Sequence, residues 1–336
     1  MTKIAINGLG RMGKLLVRRL FDQGLGENIV LINDPAGTAE THALLLEFDT
    51  VHGRWPAAIT HTDDSFTIND HTTHFAALRD PADLPLRDLG VDLVIECSGH
   101  FKTTEALQPF FDQGVQKIVV SAPVKTDEAL NIVYGVNHHD YQPDQHRIIT
   151  AASCTTNCIA PVVQVIRDTL GIEQASFTTI HDVTNTQTIV DKAHKDPRRA
   201  RSALNSLIPT TTGSAKAIVQ IFPDLEGRID GHAVRVPLLN ASLTDIVFDV
   251  KRDTTVEEVN GFFAKAAETT LNGILGYETR PLVSCDYTND ARSTIIDAPC
   301  TMVVNGRQVK IYAWYDNEWG YVCRLADVAN MVMRGL

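Results

Sequence analysis

The sequence predicts an α/β chain of two domains. The first is built on a parallel sheet, and the second is α+β with a mixed, largely antiparallel sheet. Three observations predict it. An apolar run, Lys3 to Asn7, passes through closely spaced glycines into a helical pattern. Strand-like and helix-like segments then alternate as far as Ser121. Beyond Ala175, strand-like runs accumulate, among them Val234 to Pro237, Thr244 to Val250 and Val309 to Tyr315.

Lys3 to Asn7 reads as a short buried strand, followed by Gly8-Leu9-Gly10-Arg11-Met12-Gly13. Lys14 to Phe21 has helical periodicity. The next apolar run, Ile29 to Ile32, ends at Asn33-Asp34-Pro35. This is a βαβ unit with a GxGxxG first turn. Its glycines permit a tight turn and close approach of a pyrophosphate to the helix N-terminus. Asp34, 21 residues after Gly13, is placed to accept hydrogen bonds from a ribose diol. Glycines alone serve equally well to pack a helix on a strand. Strand, helix, second strand and terminal acid together point to a dinucleotide. Residues 1–152 are therefore expected to form a Rossmann-type dinucleotide-binding domain. Within it, Asp92 to Cys97 reads as a strand ending in Ser98-Gly99, and Thr103 to Gln113 as a helix. Lys117 to Ser121 is a further strand ending in Ala122-Pro123. Small residues at such strand ends either line a ligand or only make turns.

The catalytic domain is expected over residues 153–316. An extended segment, Arg147 to Thr150, leads into Ala151-Ala152-Ser153-Cys154, and an amphipathic run, Ile159 to Leu170, follows. Cys154 thus falls at a strand-to-helix junction, where backbone N–H groups and the helix dipole favour a thiolate. A thiolate is a nucleophile for covalent catalysis. Ala175 to Ile180 is strand-like and ends at His181, a base toward a thiol and a donor to a developing oxyanion. Other histidines, such as His138 and His139, read as surface or capping residues. Cys158 shares a helix face with Cys154. No matching Cys/His pair stands elsewhere, so Cys158 reads as a packing residue and no metal site is expected.

The run from His194 to Arg201 is a basic cluster, either an anion site or a solvated face. Pro209 to Ser214 is a hydroxyl-rich turn that either holds a phosphate or caps a helix. Glu318 to Met333 reads as a helix, and residues 317–336 are expected to return to the first domain and complete it.

The 336-residue chain carries a net charge of −11, which argues against a nucleic-acid or anionic-membrane surface. No apolar run reaches membrane-spanning length, and the N-terminal residues lack a signal-peptide pattern. Six scattered cysteines do not form a disulfide framework, so a cytoplasmic location is expected.

INGLGRMG, NDP, SAP, ASCTTNC, PTTTGSAKAI, HAVRVP and YDNEWGY occur in an order and at a spacing that resemble the phosphorylating glyceraldehyde-3-phosphate dehydrogenase family almost end to end. ASCTTNC, with a histidine 27 residues after Cys154, is the most specific of these. NDPAG, LLLEFDTVHGRW and HDVTNTQT make the chain most similar to the branch found with arsenate-resistance genes.

The resemblance implies that Cys154 attacks the aldehyde of glyceraldehyde 3-phosphate and that His181 activates the thiol and takes the proton as hydride leaves to NAD. Inorganic phosphate, or arsenate giving 1-arseno-3-phosphoglycerate, then cleaves the thioester. It implies that Thr184, Arg199 and Arg235 hold the substrate phosphate. Ser153, Thr155, Thr212 and Gly213 would hold the attacking oxyanion, with Arg235 close to both. Gly8, Gly10, Arg11, Met12 and Asp34, with Gly13 of the same turn, would hold the dinucleotide. Ser98 and Ser121 would line its site, Asn317 would fix the nicotinamide amide, and Tyr321 would pack near the ring. A homotetramer is also implied. The chain departs from NAD-specific relatives at Lys192-Ala193, where they often carry Leu-Pro. Lysine there favours a 2′-phosphate and Asp34 repels one, so NAD is expected, with NADP use left open. Erythrose-4-phosphate dehydrogenase is an enzymatic alternative, disfavoured by Thr211-Thr212-Gly213. A non-catalytic dinucleotide-sensing or RNA-binding protein is disfavoured by the acidic charge and by the Cys154/His181 pair.

Overall fold

The structure is a computed structural model that describes residues 1–124, 126 and 128–336. Contacts divide it into two units: Met1–Ser153 with Val322–Leu336, and Cys154–Tyr321.

In the first unit, β1 (Ile4–Asn7) leads to α1 (Arg11–Asp22), β2 (Ile29–Asn33), α2 (Ala39–Glu47) and a small hairpin of β3 (Phe48–Asp49) and β4 (Gly53–Arg54). β5 (Ile59–His61), β6 (Ser65–Ile68) and β7 (His71–Ala76) follow. After them come α3 (Leu86–Leu89), β8 (Leu93–Glu96), α4 (Thr104–Asp112), β9 (Lys117–Val120), β10 (Ala129–Asn131) and β11 (Ile148–Thr150). The nine-stranded sheet runs β10-β11-β9-β8-β1-β2-β7-β6-β5. From β10 to β7 all pairs are parallel, and only β5-β6-β7 is an antiparallel meander. β1, β8 and β9 are buried at every residue, as strands covered on both faces must be. Strands are added to one side of β1 from β2 onward and to its other side from β8 onward, so the crevice beyond the C-terminal ends of β1 and β8 is a topological switch point.

Sequence signals explain the helices. Thr38 and Thr103 cap α2 and α4 by accepting from Thr41 and Ala106 backbone N–H groups. Helix α1 has Gly10 as its N-cap, with no side-chain cap.

In the second unit, α5 (Cys154–Thr169) precedes β12 (Ile172–His181), β13 (Ile208–Thr211), α6 (Ser214–Ile221), β14 (Ile229–Arg235) and β15 (Ser242–Val250). α7 (Val256–Glu268), β16 (Leu275–Glu278), β17 (Thr294–Asp297), β18 (Met302–Val304) and β19 (Gln308–Tyr315) follow, and the last helix, α8 (Trp319–Arg334), starts in this unit and from Val322 onward belongs to the first. The sheet runs β13-β14-β12-β15-β19-β17-β16, with β18 also on β19. β12-β14 and β16-β17 are parallel, and the other pairs are antiparallel. This is the mixed, largely antiparallel sheet expected. β15 and β19 alternate between buried and half-exposed residues, the pattern of a sheet with one face on a core.

Two element boundaries differ from the sequence reading. The strand expected over Val234 to Pro237 is the end of the longer β14, which stops at Arg235 before Pro237. Asn317 lies before α8 rather than in it, and both Asn317 and Tyr321 group with the second unit. The reason is Asp316. Its carboxylate accepts from the Glu318 and Trp319 N–H groups at 2.9 and 2.7 Å, which caps the helix there. Among the described residues, no helix is long and apolar enough to cross a membrane.

Candidate active site

Cys154 is the first residue of α5, as its position after an extended segment requires. The preceding turn is tight: Ala152 has φ of 53°, a left-handed conformation that costs a non-glycine residue roughly 1 kcal/mol. A hydrogen bond from Ala152 N–H to Thr150 Oγ1 at 3.1 Å holds it. His181 is the last residue of β12, and its Nε2 lies 3.5 Å from Cys154 Sγ. Cys154 is half-buried, whereas His181 is almost fully buried.

Burial alone pushes the Cys154 thiol up, but the hydrogen bond and charge of His181 outweigh it and the thiol is lowered overall. Burial likewise pushes His181 down. Its hydrogen bond to Asp182, then the bond and charge of Cys154, reverse this and hold it up at about 9. Thiolate and imidazolium therefore stabilise one another.

Several groups surround the pair. Asp182 Oδ1 lies 2.7 Å from His181 Nδ1, and both side chains are buried. Arg235, at the end of β14, donates from Nη1 to the Asp182 carbonyl at 2.9 Å. That same nitrogen is 2.7 Å from His181 Nδ1. Both nitrogens cannot donate along one line, so the carbonyl bond is the one compatible with imidazolium. The Tyr315 ring packs edge-on against His181, with centroids 6.0 Å apart. Its hydroxyl meets Thr179 Oγ1 at 2.8 Å and Thr155 Oγ1 at 3.1 Å. Thr155 thus ties the first turn of α5 to the sheet.

Of the residues expected to hold oxyanions, Arg235 sits against the Cys154–His181 pair. Its Nε is buried with no hydrogen-bond partner among the described residues. Burial lowers the Arg235 pKa against the charges of Cys154, Tyr315 and Asp182, and Arg199 is near enough to lower it further. Arg199 donates to Thr210 Oγ1 at 2.9 Å. Thr184 is exposed and bonded within its own turn, to Thr186 and Gln187. Thr212 Oγ1 accepts from Ser214 N–H at 3.2 Å, and Gly213 is the N-cap of α6. Ser153 is half-buried directly before Cys154.

In the first unit, the glycine turn has a steric basis at two positions. Gly8 has φ of 99°, and a Cβ there would lie 2.4 Å from Ser98 N. A Cβ on Gly13 would lie 2.0 Å from the Gly8 carbonyl oxygen. Gly10 differs: a Cβ would meet nothing within 4 Å, so the space over the start of α1 is open. Asp34 Oδ2 accepts from Leu9 N–H at 2.7 Å and Oδ1 from Ala36 N–H at 2.8 Å, which aims the carboxylate while leaving each oxygen a second acceptor site. Arg11 is ion-paired with Asp49, and Met12 is half-buried. Ser98 donates to Glu96, while Ser121 bonds to Cys97. In the second unit, Asn317 Oδ1 is 3.3 Å from Ser242 Oγ, and Tyr321 is buried.

Sequence reasoning missed a buried polar chain and two residues beside His181. The Asn7 side-chain amide donates to Glu96 at 2.5 Å, and the Asn33 amide donates to Asn7 at 2.7 Å, tying the ends of β8, β1 and β2 together. Polar residues closing apolar strands were the available signal. Asp182 and Tyr315 were missed for another reason. Successive strand residues point to opposite faces, so His181 and Asp182 are not expected to meet. They meet because β12 ends at His181.

Comparison with known proteins shows the family. The C-terminal domain of glyceraldehyde 3-phosphate dehydrogenase matches residues 153–317, and the NAD binding domain of that enzyme matches residues 2–104. Glyceraldehyde-3-phosphate dehydrogenase 3 of Nostoc sp. is 56% identical over 335 residues, covering 99% of each chain. Glyceraldehyde-3-phosphate dehydrogenase 1 of Bacillus cereus is 45% identical over 337 residues, covering 100% of each. The plasmid-borne glyceraldehyde-3-phosphate dehydrogenase of Cupriavidus necator is 47% identical over 97% of each. The chain therefore belongs to the glyceraldehyde-3-phosphate dehydrogenase family and is an NAD-dependent enzyme of that kind.

Proposed function

We propose that this protein oxidises glyceraldehyde 3-phosphate through a Cys154 thioester that inorganic phosphate or arsenate then cleaves. The observation that carries the reading is Cys154 Sγ at the start of α5, 3.5 Å from His181 Nε2. The Cys154 thiolate adds to the aldehyde carbon, and the carbonyl oxygen takes the proton from His181 Nε2, which gives a hemithioacetal and a neutral imidazole. His181 Nε2 then accepts the hydroxyl proton as the C–O double bond re-forms and hydride leaves the carbon. NAD, when bound, supplies the hydride acceptor. An oxygen of the inorganic anion attacks the resulting thioester, the C–S bond breaks, and Cys154 leaves as thiolate.

Arg235 supplies a half-buried guanidinium beside this pair, and Arg199 stands near it. Fixed arginine donors suit a dianion taken out of water. With Thr184 they form the proposed site for the substrate phosphate. Ser153, Thr155, Thr212 and Gly213 are the proposed donors to the attacking anion. The dinucleotide fits the first unit at the open space over Gly10, beside the aimed Asp34 carboxylate. Gly8, Arg11, Met12, Gly13, Ser98 and Ser121 are assigned there, with Asn317 and Tyr321 assigned to the nicotinamide end. Asp34 favours NAD over NADP. The domain assignment is a dinucleotide-binding part over 1–152, completed by 317–336, and a catalytic part over 153–316. Ile189, Val190, Leu204 and Leu207 are at least 66% exposed, and a homotetramer would give these apolar side chains cover.

Arsenate has nearly the shape and charge of phosphate, so one site serves both. The NDPAG, LLLEFDTVHGRW and HDVTNTQT segments support a place in arsenate resistance. Purified protein with glyceraldehyde 3-phosphate and NAD+ is expected to form NADH in multiple turnovers only when phosphate or arsenate is added. Equal turnover without either anion would overturn the reading. With arsenate, turnover should proceed without accumulation of a stable acyl product.

A further inference from the structure

Asp182 is fully buried at the end of β12. Its Oδ1 is 2.7 Å from His181 Nδ1 and 3.1 Å from Ser242 Oγ, which donates to it. Its Oδ2 has no hydrogen-bond partner among the described residues. A buried carboxylate with one oxygen unpaired is costly unless a cation offsets it. The charged and titratable groups facing the imidazole are Cys154 from α5, Arg235 from β14, Tyr315 from β19 and Asp182 itself. Arg235 bonds the Asp182 carbonyl rather than its carboxylate. The cation in direct contact with the carboxylate is therefore the imidazolium of His181.

We propose that Asp182 is a positioning residue that extends the Cys154–His181 pair to a relay of three. Its carboxylate, together with the Asp182 backbone carbonyl 2.9 Å from Nδ1, fixes the imidazole with Nδ1 protonated, and the carboxylate stabilises the imidazolium formed when Nε2 takes a proton. Nε2 is then always the nitrogen that faces the sulfur and the reacting oxygen. The proton moves from the hemithioacetal hydroxyl to Nε2 and on to solvent. This inference rests on the catalytic reading of Cys154 and His181 given above. The carboxylate also repels the thiolate through space. Its contact with Nδ1 is direct, however, so its support of the imidazolium is the larger influence on the pair.

The test is the pH dependence of Cys154 alkylation by iodoacetamide in wild-type protein, Asp182→Asn and Asp182→Ser, with Cys154→Ala as the blank. Alkylation needs no substrate, so it remains informative even if glyceraldehyde 3-phosphate proves not to be the substrate. Without the carboxylate, the imidazole loses its proton before the thiol does, and the thiolate loses its cation. The alkylation midpoint should rise by about 1–3 pH units. kcat should fall about 100-fold while KM for NAD+ is unchanged. Asp182→Asn is nearly isosteric and removes the charge. Should it fail to fold, the midpoint of Asp182→Ser decides. An alkylation profile matching wild type overturns the proposal, and so does a fall in kcat with that profile unmoved, which would mark a purely structural residue.

Discussion

Cys154 and Cys158 lie one turn apart on the same helix, yet their thiols are opposite in character. Cys154 is half-buried with His181 at 3.5 Å, and its pKa is lowered against the pull of burial. Cys158 is fully buried and is pushed up to about 12 by that burial. Its sulfur meets Thr294 Oγ1 at 3.5 Å, Thr244 Oγ1 at 3.6 Å and the Ala313 carbonyl at 3.8 Å. All three neighbours are neutral. The helix brings both sulfurs to the same sheet, and the strand each one faces decides its chemistry. Cys154 faces the end of β12, where a charged base stands. Cys158 faces β15, β17 and β19, which offer only weak hydrogen bonds.

The comparison breaks most sharply at the nucleophile. Cys154→Ala should lower kcat by about 10⁴-fold or more, because no other group in contact with the base replaces the thiolate. Peptide mapping after brief iodoacetamide treatment at neutral pH should find the label on Cys154 and none on Cys158. Equal labelling of the two would show that the lowered thiol does not exist.

Next in size is the base. His181→Asn should reduce kcat by about 10²–10⁴-fold. The pair also makes stability depend on pH. His181 is raised to about 9 from 6.5, so its contribution is full below 6.5 and is lost as pH rises through about 9. Urea denaturation across that range should show the advantage of wild type over His181→Asn shrinking toward alkaline pH. A constant difference would mean that the imidazole is neutral in the folded protein.

How far these features are legible in the sequence follows from their range in the chain. The glycine turn, Asp34 and the strand-to-helix placement of Cys154 are local patterns, and they are read directly. His181 is read from its position at the end of an apolar run. Asp182 is adjacent to His181, yet strand periodicity argues against their contact, which depends on where β12 stops. Tyr315 sits in an alternating strand and reads as core; its hydroxyl matters only because Thr155 and Thr179, far away in sequence, converge on it. The Glu96–Asn7–Asn33 chain likewise depends on three strands lying side by side in an order the sequence does not display. The sequence also extends the closing helix to residue 317, because nothing in its pattern shows that Asp316 binds the Glu318 and Trp319 N–H groups.

The smallest expected effect tests the other half of the comparison. Cys158→Ala removes one buried sulfur and leaves Thr244, Thr294 and the Ala313 carbonyl around a small void. Thr244 Oγ1 keeps a contact to Thr179 Oγ1 at 3.5 Å, so that hydroxyl is not stranded. The loss is a small transfer and cavity contribution, about 1 kcal/mol of stability, and kcat should be unchanged. Cys158→Ser separates size from polarity. It fills nearly the same space but puts a hydroxyl among groups already suited to hydrogen bonding, so it should cost less than burying a hydroxyl among alkyl groups. A large fall in kcat for Cys158→Ala at unchanged stability would mean that the second thiol takes part in the chemistry. The contrast between the two cysteines would then have to be redrawn around a shared site.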